Sequence, residues 1–217
     1  MQPTRWRYRL AALLIAASAT PAGALDLQGH RGARGLAPEN TLAAFATALS
    51  LGVNTLELDI AITRDGVLVI SHDPALNPLI TRGQDGSFLS QRGPLIRDLS
   101  FEQLQTYDVG RLQPGKRYAA GQLDQQPADG ARIPRLSDLF ALVKKSGNTQ
   151  VRFAIETKVS PLAPDDTLPP DDFARAVIAA IREAPEIGTC RRQQCRPTGP
   201  AQAKSTTYSI SISTGHQ

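Results

Sequence analysis

Two histidines, each followed at once by a charged residue, bracket a pair of alternating carboxylates: His30-Arg31-Gly32, then Glu57-Leu58-Asp59, then His72-Asp73. Imidazoles move protons near neutral pH, carboxylates hold hard cations, and a guanidinium binds oxyanions. These are the groups that cleavage of a phosphodiester needs. The chain holds 3 histidines, and two of them lie in this constellation.

The elements that must position these groups follow from the local pattern. Leu25 to Gly29 reads as a short strand that delivers His30 at its carboxyl end. Pro38 and Glu39 open a helix with Leu42, Phe45 and Leu49 on one face and Gly52 as its stop, which makes Glu39 and Asn40 helix-start residues. Thr55 to Ile62 alternates, with Leu56, Leu58, Ile60 and Ile62 on one side and Glu57, Asp59 and Ala61 on the other. Strand periodicity therefore puts both carboxylates on one face. Arg64-Asp65-Gly66 is a turn signal before a second β-rich run, Val67 to Ile70. A reversal centred on Asp65 sets position 72 opposite position 58, so His72 returns to the level of the carboxylates; a slip of one residue would turn it to the other face. Asp73, ahead of Pro74, reads as a turn or hydrogen-bonding residue.

Residues 75–135 are rich in Gly, Pro, Gln and Asp and read as a cap inserted over the site. A helix starting near Ser137 carries Leu139, Phe140, Leu142 and Val143. Val151 to Lys158 alternates again and brings Glu156 and Lys158 onto one face. A Pro/Asp-rich link then leads to a helix over 171–183 with Phe173, Val177, Ile178 and Ile181 on its apolar side. From Gly188 the acids disappear, and the segment 188–217 reads as an irregular tail.

Composition bounds what such a site can serve. A chain of 217 residues suggests one domain with an insertion. Arg5, Arg7 and Arg9, an apolar run from Leu10 to Ala17 and Ala22-Gly23-Ala24 read as a signal peptide over residues 1–24. That predicts an exported product, periplasmic or secreted, with no stable membrane anchor after cleavage. The net charge is +4, but the leader contributes +3 and the tail, with Arg191, Arg192, Arg196 and Lys204, another +4, which leaves −3 on residues 25–187. No basic stripe invites nucleic acid. Cys190 and Cys195 both lie in the tail and could pair in an oxidising compartment.

Gly29-His30-Arg31-Gly32, Pro38-Glu39-Asn40-Thr41, Glu57-Leu58-Asp59, Thr63-Arg64-Asp65-Gly66, Ser71-His72-Asp73 and Ile155-Glu156-Thr157-Lys158, in this order, resemble the motif set of the glycerophosphodiester phosphodiesterase family. The resemblance covers about residues 26 to 183, most closely the exported bacterial type with a cap insertion. It implies an α/β fold, a partial (β/α) TIM-type barrel with an insertion between its third and fourth strands, the site lying at the carboxyl ends of the strands. It implies hydrolysis of a small-molecule glycerophosphodiester to glycerol 3-phosphate and an alcohol. Glu57, Asp59 and Glu156 would hold the metal, His30 and His72 would be the catalytic acid/base pair, and Arg31 and Lys158 would contact the phosphate. Three carboxylates suit Ca2+ or Mg2+ better than zinc. Either histidine can serve as base or as acid, and water or a substrate hydroxyl can be the nucleophile. The strand pattern stops near Ile187 after four strands, so the alternative expectation is an inactive truncated fragment that binds metal and phosphodiester weakly. The sequence is silent on oligomeric state.

Overall fold

A computed structural model describes residues 25–160 and 162–184, together with the backbone of 206–213. The expected signal peptide, Cys190 and Cys195 lie outside the described residues. Strand β1 (Gln28–Gly29) is followed by helix α1 (Leu42–Ser50), the hairpin strands β2 (Thr55–Ile62) and β3 (Leu68–Ile70), the short helices α2 (Phe101–Leu104) and α3 (Arg117–Ala120), helix α4 (Leu136–Ser146), strand β4 (Arg152–Val159), helix α5 (Pro170–Arg182) and strand β5 (Thr206–Ser213).

β2 organises the sheet. β4 runs parallel along one of its edges, from Thr55↔Arg152 to Ile60↔Thr157. On the other edge β1 pairs parallel at Thr55 and Leu56, and β3 pairs antiparallel from Ile60↔Ile70 to Ile62↔Leu68. All eight residues of β2 are buried, the mark of a strand covered on both faces. Leu56, Leu58, Ile60 and Ile62 pack into the main core with Phe45 of α1, Leu139 and Phe140 of α4, Phe153 and Ile155 of β4, and Phe173 and Val177 of α5. Helices alternating with parallel strands on one face make this an α/β fold of the (β/α)-barrel type.

The hairpin register is the one that a reversal about Asp65 requires. Gly66 takes φ 80° and Thr63 Oγ1 donates to Asp65 Oδ1 at 2.6 Å. The ladder continues past the strand ends, with Ser71 N–H donating to Asp59 O at 2.9 Å.

Residues 71–135, between β3 and α4, build a second small core: Leu76, Ile96, Leu104, Val109 and Ile133 pack on Ala61 of β2 and Val69 of β3. The insertion thus rests on the hairpin next to the carboxylates.

Four expectations change. α1 starts at Leu42 with Thr41 as its N-cap, accepting from Ala44 N–H at 3.2 Å, because the preceding Glu39 and Asn40 are turned into the site. Its buried face is Ala44, Phe45 and Ala48, whereas Leu42 is 36% exposed. In α5, Phe173, Val177 and Ile181 are buried at helical spacing and Ile178 points outward. The tail expected to be irregular contains β5, which pairs antiparallel with β4 from Arg152↔Ser213 to Val159↔Thr206.

The main core yields a stability prediction. Phe153 is fully buried and meets Phe140 edge-to-face with ring centroids 5.3 Å apart. Phe153→Ala should lower the urea unfolding free energy by about 3–5 kcal/mol, and a loss under about 1 kcal/mol would show that this core is not closed around it.

Candidate active site

The two β2 carboxylates are held where water cannot solvate them: Glu57 is 3% exposed and Asp59 is 1% exposed. The parallel register sets Asp59 beside Glu156 of β4, and one oxygen from each of Glu57, Asp59 and Glu156 lies within 4.8 Å of the others. Such a cluster could hold a divalent metal.

Cations from two elements face this cluster. Lys158, two residues beyond Glu156 on the same strand face, puts Nζ 2.5 Å from Glu156 Oε2 and 3.0 Å from Asp59 Oδ1. Burial alone would lower the Lys158 pKa, but Asp59 and Glu156 outweigh it and hold the ammonium above its usual value. Arg31 reaches from the β1–α1 loop, with Nε 3.3 Å from Asp59 Oδ2 and Nη1 2.8 Å from Glu39 Oε1. Its backbone N–H donates to Glu57 Oε2 at 2.6 Å.

That loop is bent to bring these groups in. Arg31 takes φ 51° and Gly32 φ 83°, left-handed conformations that only glycine adopts cheaply. A Cβ on Gly32 would stand 2.8 Å from the Ala44 backbone of α1, so the Gly-His-Arg-Gly run lets the loop lie against the helix. His30 is half-exposed at the rim, Nε2 3.8 Å from Glu57 Oε2. Burial, then the Arg34 and Arg31 charges, hold its imidazole below the usual pKa against the pull of Asp59 and Glu156.

His72 follows the hairpin and is oriented from behind. Its Nδ1 lies 2.9 Å from Asp73 Oδ1, and Asn77 Nδ2 donates to the other carboxylate oxygen at 2.7 Å. Burial pushes Asp73 up, but the His72 contact and the Asn77 bond prevail and hold it below the usual carboxylate range. His72 shares a cleft with Glu39 and Asn40.

The structure therefore gathers His30, Arg31, Glu57, Asp59, Glu156 and Lys158 through direct contacts, and sets His72 against the adjoining cleft. Three further residues join them that local sequence reasoning did not assign to the site. Glu39 and Asn40 are buried, Glu39 on Arg31 and Asn40 donating from Nδ2 to Asp59 Oδ2 at 3.1 Å. Tyr118 of α3 comes from the insertion, its hydroxyl donating to Glu39 Oε2 and lying 3.4 Å from Arg31 Nη1. Burial, then the Glu39 charge, push the Tyr118 pKa up, so it remains a donor. The insertion is fastened over the β1–α1 loop by Gln125 Nε2 on Arg34 O at 2.7 Å and Gln126 N–H on Leu36 O at 2.9 Å.

The model of the glycerophosphoryl diester phosphodiesterase family matches residues 30–194. The chain belongs to this family. A glycerophosphodiester phosphodiesterase of Caldanaerobacter subterraneus is 33% identical over 114 residues, 52% of this chain and 38% of that protein. Glycerophosphodiester phosphodiesterase 1 of Mus musculus is 42% identical over 109 residues, 50% of this chain and 27% of that protein. The crystal structure of a glycerophosphoryl diester phosphodiesterase, described as putative, from Silicibacter pomeroyi superposes with a TM-score of 0.67 at 32% identity, covering 74% of this chain and 54% of the other. The chain thus spans about half or less of the length of these relatives. In this family member the matched region contains all seven residues that the motifs single out.

Charge at the centre gives a pH prediction. Burial first, then the neighbouring Asp59, push Glu57 up to about 7, against the Arg31 N–H. Below the ordinary carboxyl pKa, Glu57 is protonated in both folded and unfolded chains and costs nothing; as pH rises towards 7 the unfolded chain ionises first, and metal-free stability falls. Glu57→Gln mimics the protonated form. In chelator it should match the parent near pH 4 and be more stable by about 3 kcal/mol at pH 8, read from paired urea titrations; equal stability at both pH values would contradict the burial argument.

Proposed function

We propose that this chain hydrolyses glycerophosphodiesters to glycerol 3-phosphate and an alcohol, in a reaction that depends on a divalent cation held by Glu57, Asp59 and Glu156. The observation that carries this reading is one of charge. Four carboxylates, Glu39, Glu57, Asp59 and Glu156, face two fixed cations, Arg31 and Lys158. With Glu57 ionised, as a bound cation would hold it, the deficit is that of one dication, and oxygen-only donors favour calcium or magnesium. Such an ion, when bound, polarises the phosphoryl oxygens.

The chain's own groups divide the remaining work. Arg31 and Lys158 are poised at the carboxylates from two sides and would neutralise the phosphoryl oxygens. His30, held below its usual pKa, is neutral at pH 7 and suits the base that takes a proton from the attacking hydroxyl. His72, with Asp73 on Nδ1, suits the acid, because that contact fixes the ring and leaves Nε2 to serve the departing alkoxide. Residues 1–24 support export of the product to the periplasm or outside the cell.

Release of glycerol 3-phosphate from glycerophosphocholine tests this. The full chain should turn over with calcium or magnesium, stop in chelator, and lose on the order of 10²–10⁴-fold in His30→Ala and in His72→Ala. Folded, metal-loaded chain that releases no glycerol 3-phosphate would favour a fragment that binds without catalysing.

A further inference from the structure

Asn40 stands out among the residues that surround the carboxylates. Its backbone is left-handed, φ 56°, a conformation that asparagine adopts more readily than most residues with a side chain. It is also 5% exposed. Its backbone N–H donates to Arg31 O at 3.0 Å, and Nδ2 donates to Asp59 Oδ2 at 3.1 Å. A carboxylate oxygen only accepts, so the amide must keep its nitrogen towards Asp59 and its oxygen away. Oδ1 then has no hydrogen-bond donor among the described residues, a costly state for a buried acceptor.

Asn40 lines a narrow cleft between sheet and insertion, whose walls mix the polar Glu39, Ser71, His72, Asp73, Asn77 and Thr81 with apolar residues such as Leu76 and Ile133. None of Glu57, Asp59 and Glu156 lines it. The neighbouring Glu39 is itself an acceptor and is already engaged by Arg31 and Tyr118. The space on offer is about 20 Å³, room for one hydroxyl-sized group and far too little for a head group. A lining that mixes apolar and polar side chains suits a hydroxyl carried on a carbon chain.

We propose that Asn40 Oδ1 accepts a hydrogen bond from a free hydroxyl of the bound phosphate ester, so that this cleft selects polyol phosphates over their deoxy counterparts. The proposal rests on the phosphodiesterase reading of the carboxylate cluster and adds to it the residue that reads the polyol.

Calorimetric titration of the calcium-saturated full chain with sn-glycerol 3-phosphate and with n-propyl phosphate tests it without turnover. The parent should bind glycerol 3-phosphate about tenfold more tightly, the value of one well-made hydrogen bond. Asn40→Gly, which adopts φ 56° without strain, should reduce that preference to under about threefold, the remainder falling to weaker polar contacts. A parent with no preference overturns the proposal with no variant needed. So does an Asn40→Gly chain that loses the same factor for both ligands, which would make Asn40 a positioning residue for Asp59, or one that loses calcium affinity with the preference intact. A parent that binds calcium but neither phosphate would defeat the phosphodiesterase reading itself, and the hydroxyl proposal with it.

Discussion

Glu57 and Asp59 are charged groups on a strand that is buried on both faces, and the rest of the site is organised around that burden. An isolated buried carboxylate is strongly unfavourable, so cations and N–H groups gather around these two. Arg31 answers twice, through its backbone to Glu57 and its guanidinium to Asp59. Lys158 answers from β4, and Asn40 from the turn before α1. To reach these partners the β1–α1 loop accepts left-handed backbone at two residues with side chains, Arg31 and Asn40. Strain of that kind persists only where surrounding contacts fix it. Here the fixing contacts are the carboxylates themselves.

The insertion belongs to the same scheme. Its own core of Leu76, Ile96, Leu104, Val109 and Ile133 sits on the hairpin, and Phe101 N–H reaches back to Asp65 Oδ1 at 3.0 Å, so the turn that sets the register also anchors the insertion. From that base Tyr118 extends over Arg31 and Glu39. A polar seal from a separate core shields the site. Shielding strengthens every charge interaction beneath it.

The alternation in Thr55–Ile62 and Val151–Lys158 was legible because a strand has a period of two, and one face of each carries the charge. Hairpin register was legible because Asp65-Gly66 marks the reversal. Glu39 and Asn40 read locally as the opening of a helix, and nothing in a 3.6-residue period reveals that they serve a strand instead; the Pro-Glu-Asn-Thr motif was the available signal. Tyr118 stands 87 residues from Arg31 in a stretch without periodicity, so only tertiary packing places it. Leu42 and Ile178 fit their apolar faces by spacing, yet the smaller Ala44 and Ala48 take the core side of α1. In β5 the alternation of Tyr208, Ile210 and Ile212 was present, but a serine- and threonine-rich composition masks it, and its partner β4 lies far away in sequence.

At pH 8, with Glu57 ionised, the site is short of the charge of one divalent ion. Calcium titration by calorimetry at pH 8, with the parent chain and with Asp59→Asn, measures this directly. One calcium per parent chain, and none at the same concentrations in Asp59→Asn, is the predicted result. A parent chain that binds no divalent ion, with Lys158 and Arg31 alone balancing the carboxylates, would contradict it.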